Sequence, residues 1–541
     1  MSLPTGPLHL LAALLPVLFL LFAILKLSWG VAKAAPWAMA LSGFLAFFLF
    51  RSVPSALLLE AEKGTWNAAA ILLVIWPALF SYELSREAGT FEAIRRGIQS
   101  LTRHELLQIL ILGWVFPSFL QGITGFGVAV AVGAPLLLSI GMKPLPGIVT
   151  VLLCHVWGAT FGTLALAWNA LLEQSTLTQE EISRAALLAA AMIWVLNLAC
   201  VLLCVWRYGG KGALREGLPA VALLSFIMGG GELLLAPLAP TVSCFLPSAA
   251  GLGAALLLSR TKKYRCSWAA ETSGLMDRTA LVKTAEEKGE EPPGASMSLP
   301  RAFLPYISLT VIAVACLLIP PVNHLLSQWK LSFSFPETIT GYGFITTAAE
   351  HFSPQAPFTY AGTFLVLSAL AAYLCYRRWG YLGPGSVQAA WRCTVKKCGA
   401  STAAILTLII MSKFMSSSGM IYLLSQKVVG ILGRFYLLAA PFFGMLGAFI
   451  TSSNMSSNIL MGGFQSTAAS LLGVDPATAA ALQTVGGILG NAFAPGCVIM
   501  GSATTGYTGG DASIIRKILP ISLSCAAVFG FIGVWVCQRF W

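Results

Sequence analysis

Four short runs hold most of the polar residues that interrupt otherwise apolar sequence. The first is Gln121-Gly122-Ile123-Thr124-Gly125-Phe126-Gly127, and 34 residues after Gln121 begins His155-Val156-Trp157-Gly158-Ala159-Thr160-Phe161-Gly162-Thr163. The third is Thr451-Ser452-Ser453-Asn454-Met455-Ser456-Ser457-Asn458. The fourth opens 29 residues after Asn454 as Gln483-Thr484-Val485-Gly486-Gly487 and continues to Gly490-Asn491-Ala492-Phe493-Ala494-Pro495. Glycine lets a ligand approach the backbone, while Ser, Thr, Asn and Gln side chains bind oxygen atoms. Inside hydrocarbon an unpaired backbone amide costs several kcal/mol, so a broken helix survives only where it lines a cavity within the protein. The N-terminus of a half-helix carries a positive dipole end and free N–H groups, which suit an anionic group such as a carboxylate. Small residues also let helices pack closely. Paired polar runs carrying Asn and Gln favour a binding site.

Three ionisable residues stand in apolar runs, where a charge costs about 2.5–3.5 kcal/mol on insertion scales. Lys413, just before Ser416-Ser417-Ser418-Gly419, could pair with a substrate carboxylate, or snorkel to an interface. Glu232, after three glycines, could carry a proton or neutralise Lys413, or close a structural ion pair. His155 could titrate near neutral pH or serve as hydrogen-bonded scaffolding. His155, Glu232 and Lys413 are thus the proton-coupling candidates.

These runs need membrane helices to hold them. A crossing takes about 20 apolar residues. Twelve stretches qualify: 7–25, 35–50, 66–85, 146–170, 185–206, 217–237, 243–259, 302–325, 357–376, 400–424, 476–500 and 518–538. Two more, near 105–140 and 435–472, could cross twice but are broken in the middle by Gly, Ser, Thr and Asn. Basic residues gather in 86–104, 260–301 and 377–397, whereas 171–183 carries Glu173, Glu180 and Glu181, and 326–356 carries Lys330 alone. The positive-inside bias puts the first three segments in the cytoplasm. That holds only if 105–140 enters and leaves on one side, as a re-entrant hairpin. The expected organisation is a first membrane half over 1–259, a cytoplasmic linker over 260–301 and a second half over 302–541. The polar break followed by a Gly-rich helix in each half indicates an inverted internal repeat.

Composition agrees. Of 541 residues 57% are hydrophobic and 10% charged, against about 25% charged in an ordinary soluble domain. Thirty-three basic and 21 acidic side chains cannot cover a soluble protein of this length. A soluble enzyme, a nucleic-acid-binding domain and a disordered chain are excluded. So is an outer-membrane barrel, whose strands would alternate apolar and polar. The net charge of +12 fits cytoplasmic loops rather than nucleic acid. The 12 Cys and five His show no metal-ligand spacing, and HExxH, G-x-S-x-G and P-loop patterns are absent. No cofactor or metal is expected, and no enzyme activity. The fold class is all-α and polytopic, with about 12 transmembrane helices plus two re-entrant broken hairpins.

QGITGFG followed by GAPLLLSIGMKPL, then MSSSGM, GAFITSSNMSSNILMGGFQ and QTVGGILGNAFAP, resembles the lactate permease family from about 110 to 500. The resemblance implies a bacterial inner-membrane proton symporter for lactate or glycolate, within a superfamily where many carriers use an elevator mechanism. Carried onto this chain, the resemblance matches Gln121, Gly122, Gly125 and Gly127 to the first motif and Thr451, Ser453, Asn454, Ser457 and Asn458 to the second; these, with Thr124, Ser452 and Ser456 of the same runs, are the substrate-binding candidates. It extends to Gln483, Gly486, Gly487, Gly490 and Asn491, with His155 and Lys413 beside them. The chain departs from the lactate-carrying branch at Ala129, at His155-Val156-Trp157, where that branch has a neutral Asn-containing stretch, and at Gly496-Cys497. The partners expected are a small carboxylate such as L-lactate, glycolate or D-lactate, a coupling proton and the lipid bilayer. A sodium-coupled or differently specific organic-anion carrier is the alternative, and a homodimer is compatible with the sequence.

Overall fold

The computed structural model describes residues 3–540 apart from 28, 125–126, 271–272, 278–296, 318 and 508–510. Half of the expected linker, including Glu290-Glu291-Pro292-Pro293-Gly294, therefore lies outside the described residues. Among those described, nine helices are long and apolar enough to cross a membrane. The count is ten if Leu304–Leu317 and Pro320–Ser327, bent by 81°, form one span.

The difference from twelve spans has physical causes. The stretch 146–170 is not one helix: Pro144–His155 ends in a 3-10 turn, and Gly162–Leu172 follows. Pro476–Asn491 also breaks before Pro495–Thr505, but the two together still count as one span. The longest apolar segment, Gln179–Leu235, has 57 residues. Straight, it would reach about 85 Å, far beyond a bilayer. The backbone reverses at Gly209 and at Gly210, whose φ of +60° glycine adopts without cost. Gly217 then faces Val205, and a Cβ on Gly229 would meet the Trp194 ring at 2.1 Å. The two arms pack side by side, as the separate expected spans 185–206 and 217–237 require.

Both broken stretches are helical hairpins. The first joins Glu105–Ile123 to Val128–Leu138. Its two ends rest on the same segment, through Glu105 N–H to Trp268 O at 2.9 Å and Lys143 N–H to Leu275 O at 2.8 Å. The second joins Tyr436–Thr451 to Asn454–Leu472 across Ser452 and Ser453. Beside these hairpins stands a flanking bundle of Val31–Phe48, Pro54–Glu87, Ala361–Arg378 and Ser386–Ser417.

Two small antiparallel sheets lie in 331–355. Leu331–Phe335 pairs with Ala349–Gln355, and Thr338–Ile339 with Ile345–Thr346. This stretch was expected only as a loop. It packs against the start of the flanking bundle, where Trp66 donates to Ser353 O at 3.0 Å.

Candidate functional site

The four polar runs converge. A cavity of about 420 Å³ is lined by Gln121 and Gly127 from the first hairpin, His155, Ala159, Gly162 and Thr163 from the first broken helix, and 451–456 from the second hairpin. Asn491, Gly496 and Cys497 come from the second broken helix. Three helices begin at this cavity: Val128–Leu138, Asn454–Leu472 and Pro495–Thr505. Their positive dipole ends therefore face one space. Among the described lining residues none is Lys, Arg, Asp or Glu, and His155 is the only basic side chain.

The breaks are held locally. Thr163, Leu164 and Ala165 adopt φ of 50°, 56° and 62°, a left-handed turn that costs non-glycine residues about 1–2 kcal/mol each. Trp168 N–H to Thr160 O at 3.2 Å and Ala165 N–H to Phe161 O at 3.0 Å close it. Gly162 lies directly on the hairpin, since a Cβ there would stand 2.7 Å from Gln121 O. At the second hairpin Ser452 has φ of 55°, and its hydroxyl accepts from Gly496 N–H at 2.9 Å. Ser453 caps the following helix by accepting from Ser456 N–H at 3.3 Å.

Behind the cavity runs a buried hydrogen-bond network. Asn454 Nδ2 donates to Ala159 O at 3.2 Å and lies 3.2 and 3.3 Å from the hydroxyls of Thr160 and Thr484. Those two hydroxyls are 2.9 Å apart. Asn458 Nδ2 donates to Ala167 O at 2.9 Å and to Thr484 at 3.1 Å. Gln483 Nε2 reaches Ser457 and Asn458, and Gln465 Nε2 donates to Gln483 Oε1 at 3.0 Å. The network ties the second hairpin to both broken helices.

Three polar groups have hydrogen-bonding capacity that the described residues do not use. Asn454 Oδ1 has no partner among the described residues. It fits because position 487 is glycine, where a Cβ would lie 1.9 Å away. Gln121 is buried at the cavity wall, and its amide makes no hydrogen bond to described residues. His155 Nδ1 sits 2.6 Å from Val151 O, and a carbonyl only accepts, so Nδ1 carries the hydrogen. Nε2 is then the ring atom that can take a proton.

Other sequence candidates lie elsewhere. Gly122 packs on Phe245, with a Cβ there 2.9 Å from Phe245 Cα, and Thr124 bonds its own helix at Leu120 O. Gly125 falls outside the described residues. Ser457, Asn458 and Gln483 support the network without lining the cavity. Gly486 and Gly490 serve close packing, since added Cβ atoms would stand 2.0 and 2.1 Å from Pro441 O and Met445 O. Lys413 is also away from the cavity: its ammonium donates to Glu173 O at 3.3 Å and lies 5.4 Å from the Phe352 ring. Glu173 in turn accepts from the Ser353 hydroxyl beneath the small sheets. Glu232 is 1% exposed, and both its oxygens lack a partner among the described residues. It forms no ion pair with Lys413.

The sequence reading missed several contributors. Thr160 and Thr484 lay within the quoted runs, and a hydroxyl in each broken helix was the available signal. Gly30, Val31, Ala32, Ser401, Ala404 and Ile405 also line the cavity. Apolar periodicity gives no sign of their role.

Comparison with known proteins follows the same lines. A family profile described as L-lactate permease matches residues 9–538. The L-lactate permease of Escherichia coli (strain K12) is 27% identical over 559 residues, covering 98% of this chain and 96% of that protein. The L-lactate permease of Bacillus subtilis (strain 168) is 25% identical over 547 residues, covering 95% and 93%. The glycolate permease GlcA of Escherichia coli (strain K12) is 26% identical over 581 residues, covering 98% and 96%. Among solved structures, the Alcanivorax borkumensis YdaH transporter aligns at a TM-score of 0.45 with 16% identity, over 98% of this chain and 99% of that one.

Proposed function

This chain belongs to the L-lactate permease family, and we propose that it imports a small 2-hydroxymonocarboxylate, L-lactate first and glycolate or D-lactate beside it, by proton symport. It is a membrane transporter and not an enzyme. The observation that carries the reading is the cavity: three helix N-termini and free amide groups, with no fixed cation among the described lining residues.

A carboxylate entering such a site brings an unbalanced negative charge into a medium of low dielectric. Protonation of His155 Nε2 supplies the balance and adds a charge-assisted hydrogen bond. Each of the two events favours the other by linkage, so anion and proton bind together. Gln121 and the helix N-termini bind the remaining oxygens. In the same reading the hairpins are re-entrant, the basic loops are cytoplasmic, and the hairpin core moves against the flanking bundle as an elevator.

A second reading is sodium coupling. Thr451, Ser452, Ser453 and Ser456 line the cavity beside Asn454, whose Oδ1 has no partner among the described residues, and such an oxygen-rich lining is of the kind a hard cation uses.

Proteoliposomes loaded at neutral pH and diluted into acidic buffer separate these outcomes. Accumulation of labelled L-lactate that collapses with a protonophore, and persists when choline replaces sodium, is expected. Uptake that requires sodium, or transport of another anion with none of any 2-hydroxy acid, overturns the coupling or the substrate.

A further inference from the structure

A groove of about 750 Å³ opens on the flanking bundle, apart from the cavity. Leu73, Trp76 and Phe80 form one wall, Leu370 and Tyr373 a second, and Trp391 closes one end. Among the described residues no charged side chain lines it. From Ala69 to Phe80 it runs about 16 Å at the helical rise, close to one leaflet of an about 30 Å hydrocarbon core.

The end toward Tyr373 and Trp391 is cationic. Arg377 Nη1 donates to the Tyr373 hydroxyl at 2.7 Å, which places a guanidinium at the mouth. Arg378, the last residue of Ala361–Arg378, and Arg392, in the second turn of Ser386–Ser417, are exposed, and among the described residues none of the three forms an ion pair. The neighbouring cations Arg86 and Lys397 are already spent on Glu83, at 2.9 and 2.5 Å. An apolar slot of leaflet depth ending in unpaired guanidinium groups matches an acyl chain joined to a phosphate. A second copy of this chain fits poorly. A two-fold interface is self-complementary, whereas here a concave wall would face a concave wall and cations would face cations.

We propose that this groove binds one anionic phospholipid, its acyl chain between Pro54–Glu87 and Ala361–Arg378 and its phosphate on Arg377, Arg378 and Arg392. The site is independent of the transported substrate.

Native mass spectrometry of the purified full-length protein tests it, with equal amounts of phosphatidylglycerol and phosphatidylcholine of the same chains. The wild type retains one phosphatidylglycerol, preferred by roughly tenfold or more. Leu370→Trp fills the slot and abolishes retention, while Leu374→Trp, at a 57% exposed position outside the groove, leaves it unchanged. The combined Arg377→Gln, Arg378→Gln and Arg392→Gln variant changes only exposed residues, so it keeps a readout if Leu370→Trp does not fold. It retains lipid but loses the preference. Three results overturn the proposal: no lipid on the wild type, equal retention of the two lipids, or a disulfide-linked dimer through Leu370→Cys, which puts a second copy in the groove.

Discussion

The two hairpins share a shape and differ in chemistry. In the first, Thr124 bonds Leu120 O on its own helix at 2.9 Å, and Ser118 bonds Trp114 O at 2.6 Å while accepting one hydrogen bond from outside, from Trp157 Nε1 at 2.6 Å. Only Gln121 and Gly127 of this hairpin reach the cavity among the described residues. In the second, Asn454, Ser457 and Asn458 reach outward to Thr160, Gln483 and Thr484 and fix the geometry of both breaks. The first half in turn supplies His155, the one basic group at the cavity. Two hairpins of one shape can thus serve different ends: the second builds the scaffold of the site, while the titratable group comes from the broken helix that follows the first.

The largest expected effect falls on the second hairpin. Gly487→Ala places a methyl where Asn454 Oδ1 stands. Displacing a binding group by about 1 Å costs on the order of 100-fold, so uptake into proteoliposomes should fall to background with the protein still folded. Near-normal uptake would break the claim that this hairpin fixes the site.

On the first half, His155→Gln should abolish accumulation driven by a pH gradient. Exchange of labelled for unlabelled lactate at equal pH should continue, because glutamine still donates a hydrogen bond but does not titrate. Loss of both activities would make His155 structural, and retention of both would remove it from coupling. Gln121→Ala removes one amide and no network partner. Substrate affinity should weaken about tenfold, the scale of one hydrogen bond to a charged group, measured as KM in the same vesicles. An effect as large as that of Gly487→Ala would sharpen the comparison by making the two halves equal at the binding step.

The smallest effect on transport is expected at Lys413. Its partners are Glu173 O and the Phe352 ring, outside the cavity. Lys413→Ala should leave KM within about twofold and lower thermal stability, because the substitution breaks a buried polar contact. A selective loss of carboxylate affinity would return Lys413 to the site.

These assignments show how far the residues alone could be read. The hairpins were legible, because Gly, Ser, Thr and Asn interrupt apolar runs only where a cavity satisfies the freed backbone. Asn454, Gln121 and His155 were legible for the same reason. That Lys413 stands outside this cavity was not legible, because an isolated lysine in an apolar run carries no sign of its partner, and Glu173 lies 240 positions away. The break inside 146–170 was hidden, since Thr163, Leu164 and Ala165 have ordinary helix-compatible side chains and take left-handed φ through tertiary packing. The small sheets were marked by the alternation in Leu331–Phe335. That signal, five residues long, is weak beside the helical spans.

The central claim is that the cavity where the two hairpin tips meet the two broken helices binds the carboxylate, with Asn454 as its fixed point. Equilibrium binding of labelled L-lactate to purified protein tests it most directly, comparing wild type, Asn454→Ala and Lys413→Ala. The account predicts that Asn454→Ala loses measurable binding while Lys413→Ala binds as the wild type does. Unchanged binding by Asn454→Ala together with loss in Lys413→Ala would contradict it and move the site to the buried charges under the small sheets.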